Sequence, residues 1–125
     1  MKAYVTALAA AAAVLLLTGA SGEEPAMTAA DLAQLCSGTD HVSRNACRIY
    51  ILGVTQGIAV GLHMAGGGAR AGRPCVPPAV SAEELEATVK KRLAALGAAS
   101  DSRDASGFIG DVLATAYPCG KAREP

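Results

Sequence analysis

The chain has 125 residues, and its first twenty or so read as a targeting segment. About 105 residues remain, enough for one compact domain and too few for two. Charges balance at 11 basic against 11 acidic, which leaves no electrostatic footprint for nucleic acid or an anionic membrane. Aromatic residues are confined to Tyr4, Tyr50, Phe108 and Tyr117, with no Trp, so stacking platforms for bases or sugars are excluded as a design. The half-apolar, alanine-dominated composition favours closely packed helices and disfavours long disorder.

Residues 1–4 with Lys2 form a short basic start, residues 5–17 are uncharged and mostly apolar, and residues 18–22 are small. This three-part pattern is that of a secretory signal, and its apolar run is too short to span a bilayer. The expected organisation is a signal peptide over 1–20 and one helical domain over 21–125, exported and without a membrane anchor.

The first helix of the domain is expected from Thr28, where Thr28 and Asp31 have capping-box spacing, to about Cys36. Turn chemistry over 37–41 ends it. A second helix is expected over about 43–64, and its apolar residues leave almost no polar face. That pattern predicts a buried central helix. The β-branched run over 49–54 also admits a buried strand. Gly53, Gly57 and Gly61 recur every four residues and form a smooth stripe that suits a close neighbouring backbone. The stripe fits either a homodimer or internal packing against the later helices.

A glycine-rich loop over 65–74 follows, with Arg70 and Arg73 on its tip. Its Gly66-x-Gly68-x-x-Ala71 spacing resembles a dinucleotide fingerprint, but that chemistry requires a preceding strand and a following helix N-terminus. A helix precedes here and Pro74 follows within a few residues, so no cofactor is assigned. The third helix starts at a capping box, Ser81 to Glu84, and carries Leu85, Val89, Leu93 and Leu96 at helical spacing. Early Glu83, Glu84 and Glu86 and late Lys90, Lys91 and Arg92 complement the helix dipole. Gly97 is its expected stop. The fourth helix is expected from Asp101 or Ser102 to Ala116, with Phe108, Ile109, Val112 and Leu113 inward, and Pro118 ends it.

Cys36, Cys47, Cys75 and Cys119 all lie in the exported part and read as two disulfides. Metal binding would call for CxxC or paired-His spacing, which the chain lacks. Four cysteines allow three connectivities. If the third and fourth helices form an antiparallel hairpin, Cys75 and Cys119 meet, and Cys36 and Cys47 flank one short turn. The preferred pairs are therefore Cys36–Cys47 and Cys75–Cys119, closing loops of about 12 and 45 residues that contribute roughly 3 and 4 kcal/mol.

Four cysteine-anchored pieces carry a family resemblance. They are Leu35-Cys36; Cys47-x-x-Tyr50-x-x-Gly53-Val54-x-x-Gly57; Cys75-Val76-Pro77-x-x-Val80-Ser81; and Tyr117-Pro118-Cys119. In this order the arrangement, over about residues 29–121, resembles the Rap/Tai family, the periplasmic immunity proteins of type VI secretion amidase effectors. It departs from the usual pattern at Tyr117, at Pro74 and in the connection over 97–101. The resemblance implies a small all-α, disulfide-stapled domain of four helices, often dimeric, that occludes the cleft of a peptidoglycan amidase and performs no chemistry itself. Tyr50, Gly53, Gly57, Pro118 and the cysteines are framework positions in this reading. The contact surface is expected in the loop over 66–73, through Arg70 and Arg73. The alternative is a periplasmic helical binding protein, such as an acid-stress chaperone, without a dedicated amidase partner.

Overall fold

The computed structural model describes residues 26–67, 72–95 and 102–120, which form four helices and no strand. The predicted signal peptide, Leu96, Gly97 and the tip of the glycine-rich loop lie outside the described residues. Helix α1 spans Ala29–Ser37, α2 His41–Met64, α3 Ala82–Ala95 and α4 Ala105–Ala116. The all-α expectation holds, and the β-branched stretch within α2 is helical.

Each helix start follows from a short polar side chain. At α1 the Thr28 hydroxyl accepts from the Asp31 N–H at 3.1 Å, while the Asp31 carboxylate accepts from the Thr28 N–H at 2.9 Å. Two orphan amides are satisfied reciprocally, as the sequence spacing implied. Helix α2 starts two residues before the expected Ser43, because Asp40 is its N-cap and accepts from the Ser43 N–H at 2.9 Å. A side chain at Gly38 would run into Ser43, so the tight turn between α1 and α2 needs glycine there. At α3 the Ser81 hydroxyl accepts from the Glu84 N–H at 3.2 Å.

Helix α4 starts later than expected, at Ala105 with Asp104 as N-cap. The cause is a tertiary pairing. The Ala105 N–H donates to the Met27 carbonyl, and the Ala29 N–H donates to the Arg103 carbonyl, both at 2.8 Å. This antiparallel bridge between Thr28 and Asp104 keeps Asp104 out of the helical conformation, so the helix cannot begin before it. Asp104 then accepts from the Gly107 N–H at 2.9 Å and from the Ser106 hydroxyl.

At the opposite end of α4 the chain is fastened to the segment before α3. The Cys75 N–H donates to the Tyr117 carbonyl at 2.7 Å, and the Cys119 N–H to the Arg73 carbonyl at 3.0 Å. The Cys75–Cys119 disulfide closes this bridge with a Cα–Cα distance of 5.0 Å. Cys36–Cys47 joins α1 to α2 with a Cα–Cα distance of 5.1 Å. Both preferred pairings are present.

The core gathers Leu32 of α1, Ile51 of α2, Leu85, Val89 and Leu93 of α3, and Phe108, Ile109, Val112 and Leu113 of α4. Full burial of such a side chain stabilises by roughly 1.5–3 kcal/mol. The expectation of a wholly buried second helix is corrected. Only Cys47 and Ile51 of α2 are buried, while Val42, Ile49, Val60 and Met64 are 76%, 61%, 58% and 81% exposed. The reason is size: α2 has 24 residues, and its neighbours have 9, 14 and 12, too few to surround it. Across the α2–α3 seam, Arg48 donates its Nε–H to Glu86 at 2.7 Å, and Glu86 also lies 3.7 Å from Lys90. Such exposed pairs contribute little energy and chiefly orient the helices.

Two outcomes follow. Replacing Cys75 and Cys119 with Ala lowers unfolding free energy by about 4 kcal/mol, against about 3 kcal/mol for Cys36 and Cys47, because the closed loop is longer; denaturant titration reads both. Asp31, Asp40 and Asp104 have carboxyl pKa values held below the usual 3.8 by the Thr28, Ser43 and Ser106–Gly107 hydrogen bonds respectively. Their lowered folded values give stability that is present above pH 3.8 and is lost as pH falls below it, through each folded pKa. Asp104→Asn keeps an N-cap acceptor and removes this titration, so the drop in denaturation midpoint between pH 5 and pH 2.5 becomes smaller than in the unsubstituted protein.

Candidate functional site

The loop singled out in the sequence begins where α2 stops. Met64 is its last helical residue, and Gly66 and Gly67 follow with φ of 96° and 64°. The Gly67 N–H donates to the Leu62 carbonyl at 3.0 Å and the Gly66 N–H to the His63 carbonyl at 3.2 Å. This is the Schellman pattern, in which a left-handed residue turns the chain back and satisfies the last helical carbonyls. Gly72, with φ of 82°, reverses the chain again on the returning side. The loop is thus launched by a rigid helix end and received by the disulfide-closed bridge at Arg73, Pro74 and Cys75.

Arg70 lies outside the described residues. Arg73 stands at the foot of the loop, not at its tip, and is partly buried. Its carbonyl is tied to Cys119, and its Nη1 is enclosed with no hydrogen-bond acceptor among the described residues. A buried guanidinium N–H without a partner is costly, so a carboxylate or carbonyl reaching this position would be favoured.

The framework residues fall into two groups. Tyr50 is half-buried against the core, and burial, with the nearby Asp104 carboxylate, pushes its phenol above the ordinary value. Pro118 sits in the bridge opposite Pro74. Gly53 and Gly57, by contrast, face open space, as does Gly61: a Cβ built on any of the three meets nothing within 4 Å. The close internal neighbour expected along this stripe is absent among the described residues.

Sequence reasoning missed the outward apolar face of α2, formed by Val42, Ile49, Val60 and Met64. At 100° per residue these positions and Gly53 and Gly57 share one side, opposite Cys47 and Ile51. The signal was present in the glycines, which mark the side without internal partners. A cavity of about 190 Å³ lies between α3 and α4, lined by Thr88, Lys91, Arg92, Ala95, Val112, Thr115 and Ala116. Its two threonine hydroxyls donate to helix carbonyls, Glu84 and Asp111, at 2.8 Å each. The four cysteines are all disulfide-bonded, and among the described residues no three His, Cys, Asp or Glu side chains converge on a metal-sized site. Among the described residues no helix is long and apolar enough to cross a membrane.

The family model of the Rap1a immunity proteins matches residues 28–119, from the N-cap of α1 to the last cysteine. The chain belongs to this family. Neither a curated protein nor a solved structure matches it. The matched span includes all four helices, both disulfides and the loop, so the fold described above is the immunity domain itself.

The two kinds of glycine separate in a stability measurement. Gly66→Ala costs about 1–2 kcal/mol, because alanine is strained at positive φ. Gly57→Ala stabilises by up to about 1 kcal/mol, because the position is helical and its surroundings are open. Denaturation at low protein concentration checks the opposite signs.

Proposed function

We propose that this immunity-family chain is exported by the signal at residues 1–20, acts in the periplasm, and binds and occludes a peptidoglycan amidase delivered by type VI secretion. The observation that carries this reading is the family match over residues 28–119, together with two disulfides that suit an oxidising compartment. Occlusion requires a complementary surface and no bond-making by the inhibitor. A helical domain stapled at both ends supplies such a surface at low conformational cost.

The contact region in this reading is the loop between Gly66 and Arg73. It begins at a capped helix end, and the Arg73 Nη1 lacks an acceptor among the described residues. Arg70 and Arg73 would engage acidic or carbonyl groups at the rim of the amidase cleft. The producing cell is then protected from hydrolases injected by its sisters.

Affinity capture with the disulfide-intact protein, from periplasm exposed to the organism's own secreted proteins, recovers a single amidase at near-stoichiometric amount. Recovery of many unrelated proteins, with acid-induced dye binding and suppressed client aggregation, would instead support the chaperone reading. With the amidase in hand, replacing Arg70 and Arg73 by Ala weakens binding at least about tenfold, or about 1.4 kcal/mol, while circular dichroism shows the helical fold retained. Unchanged affinity and inhibition would remove the loop from the interface and leave the immunity role standing.

A further inference from the structure

We propose that the cleft between α3 and α4 binds a small carboxylate with an apolar body of about six to eight carbons. The site lies apart from the loop after α2 and stands independently of the amidase reading.

The cleft exists because of what the α3–α4 seam leaves out. Toward the core the two helices contribute Leu85, Val89 and Leu93, and Phe108, Ile109 and Leu113. One step round each helix the side chains become small: Thr88 and Ala95 on α3, Thr115 and Ala116 on α4. Val112, itself buried, lines the same space. A larger aliphatic residue at one of the small positions would close the seam and bury apolar area. Instead a cleft of about 190 Å³ stays open.

Its walls are chemically one-sided. The Thr88 and Thr115 hydroxyls donate to the Glu84 and Asp111 carbonyls of their own helices at 2.8 Å each, so neither proton is left for a ligand. No carboxylate lines the cleft among the described residues. The remaining polar groups are the charged ends of Lys91 and Arg92, carried on apolar stems. These two differ from the other cations nearby. Lys90 lies 3.7 Å from Glu86, Arg48 lies 2.7 Å from the same carboxylate, and Arg103 lies 3.5 Å from Asp111. Lys91 and Arg92 have no carboxylate partner among the described residues. The helix dipole accounts for basic residues late in α3, but not for the small residues beside them. An apolar hollow with an unpaired guanidinium and ammonium complements an apolar acid. Its planar carboxylate fits the guanidinium fork, and its body displaces water from the hollow.

Size favours a small molecule over a protein segment. A dry cavity of about 150 Å³ accommodates benzene, so this cleft takes a body only slightly larger. The large exposed apolar side chains, Val42, Ile49, Val60 and Met64, all belong to α2. On α3 and α4 nothing of that kind extends the cleft toward the roughly 1,000 Å² that a specific protein interface needs.

The test is titration of octanoate into the isotope-labelled protein, both disulfides formed, with octylamine as the oppositely charged control. Amide shifts around the cleft, read by two-dimensional NMR, are expected to saturate with a dissociation constant on the order of 1 mM. Octylamine binds at least about fivefold more weakly. Thr115→Leu, which fills the hollow, weakens octanoate binding at least about tenfold. Replacing Lys91 and Arg92 together by Gln weakens it at least about fivefold and abolishes the preference over octylamine. These three positions are exposed, and circular dichroism verifies that each variant keeps its helices. Should Thr115→Leu not fold, the glutamine pair decides. Shifts that fail to saturate by about 10 mM overturn the proposal, as do shifts centred on Ile49, Val60 and Met64. Equal binding of octylamine overturns the carboxylate assignment, and octanoate binding unchanged in the folded variants overturns the site. None of these outcomes bears on whether an amidase is bound.

Discussion

Helix α4 is the most apolar of the four and is fastened at both ends, and the rest of the domain is arranged around that restraint. At its start the Ala105 and Ala29 amides exchange bonds with Met27 and Arg103, which sets the beginnings of α1 and α4 side by side. At its finish the bonds between Arg73, Cys75, Tyr117 and Cys119 and the disulfide tie it to the entrance of α3. Phe108, Ile109 and Leu113 are consequently presented in one orientation to all three other helices. The covalent closure adds to this packing by restricting the unfolded chain.

This restraint also organises the candidate site. The loop after α2 leaves from a Schellman turn and returns to the disulfide-closed bridge, so both of its feet are rigid even though its sequence is small and polar-poor. Fixed feet confine the ordering cost of any binding through this loop to a few residues. The domain therefore divides its labour: α1, α3 and α4 enclose the core with one side of α2, while the far side of α2 remains turned outward.

Much of the local structure was legible from the residues. Thr28 with Asp31 announced α1, Ser81 with Glu84 announced α3, and Pro118 announced the end of α4, because caps and breakers act within one turn of the chain. The Glu86–Lys90 pair was visible for the same reason. The cysteine pairing was readable from two local relations, a short turn between Cys36 and Cys47 and a hairpin that returns Cys119 to Cys75. Where a distant backbone partner set the boundary of an element, the reading missed it. The start of α4 was misplaced because Met27 and Ala29 bind the residues before it, and no local signal at Ser102 or Arg103 reveals that pairing.

Helix α2 shows the same division most plainly. Its sequence by itself favoured a long helix with three glycines on one side, since propensity and spacing are properties of the segment, but it also admitted a strand over 49–54. Whether that side would be buried was a question of how much surface the other helices could cover. Three shorter helices, fixed by two disulfides and two backbone bridges, reach only the side of Cys47 and Ile51. Periodicity marks which residues share a face, but only the tertiary structure decides which faces meet, because burial is settled by the length and position of every neighbour at once.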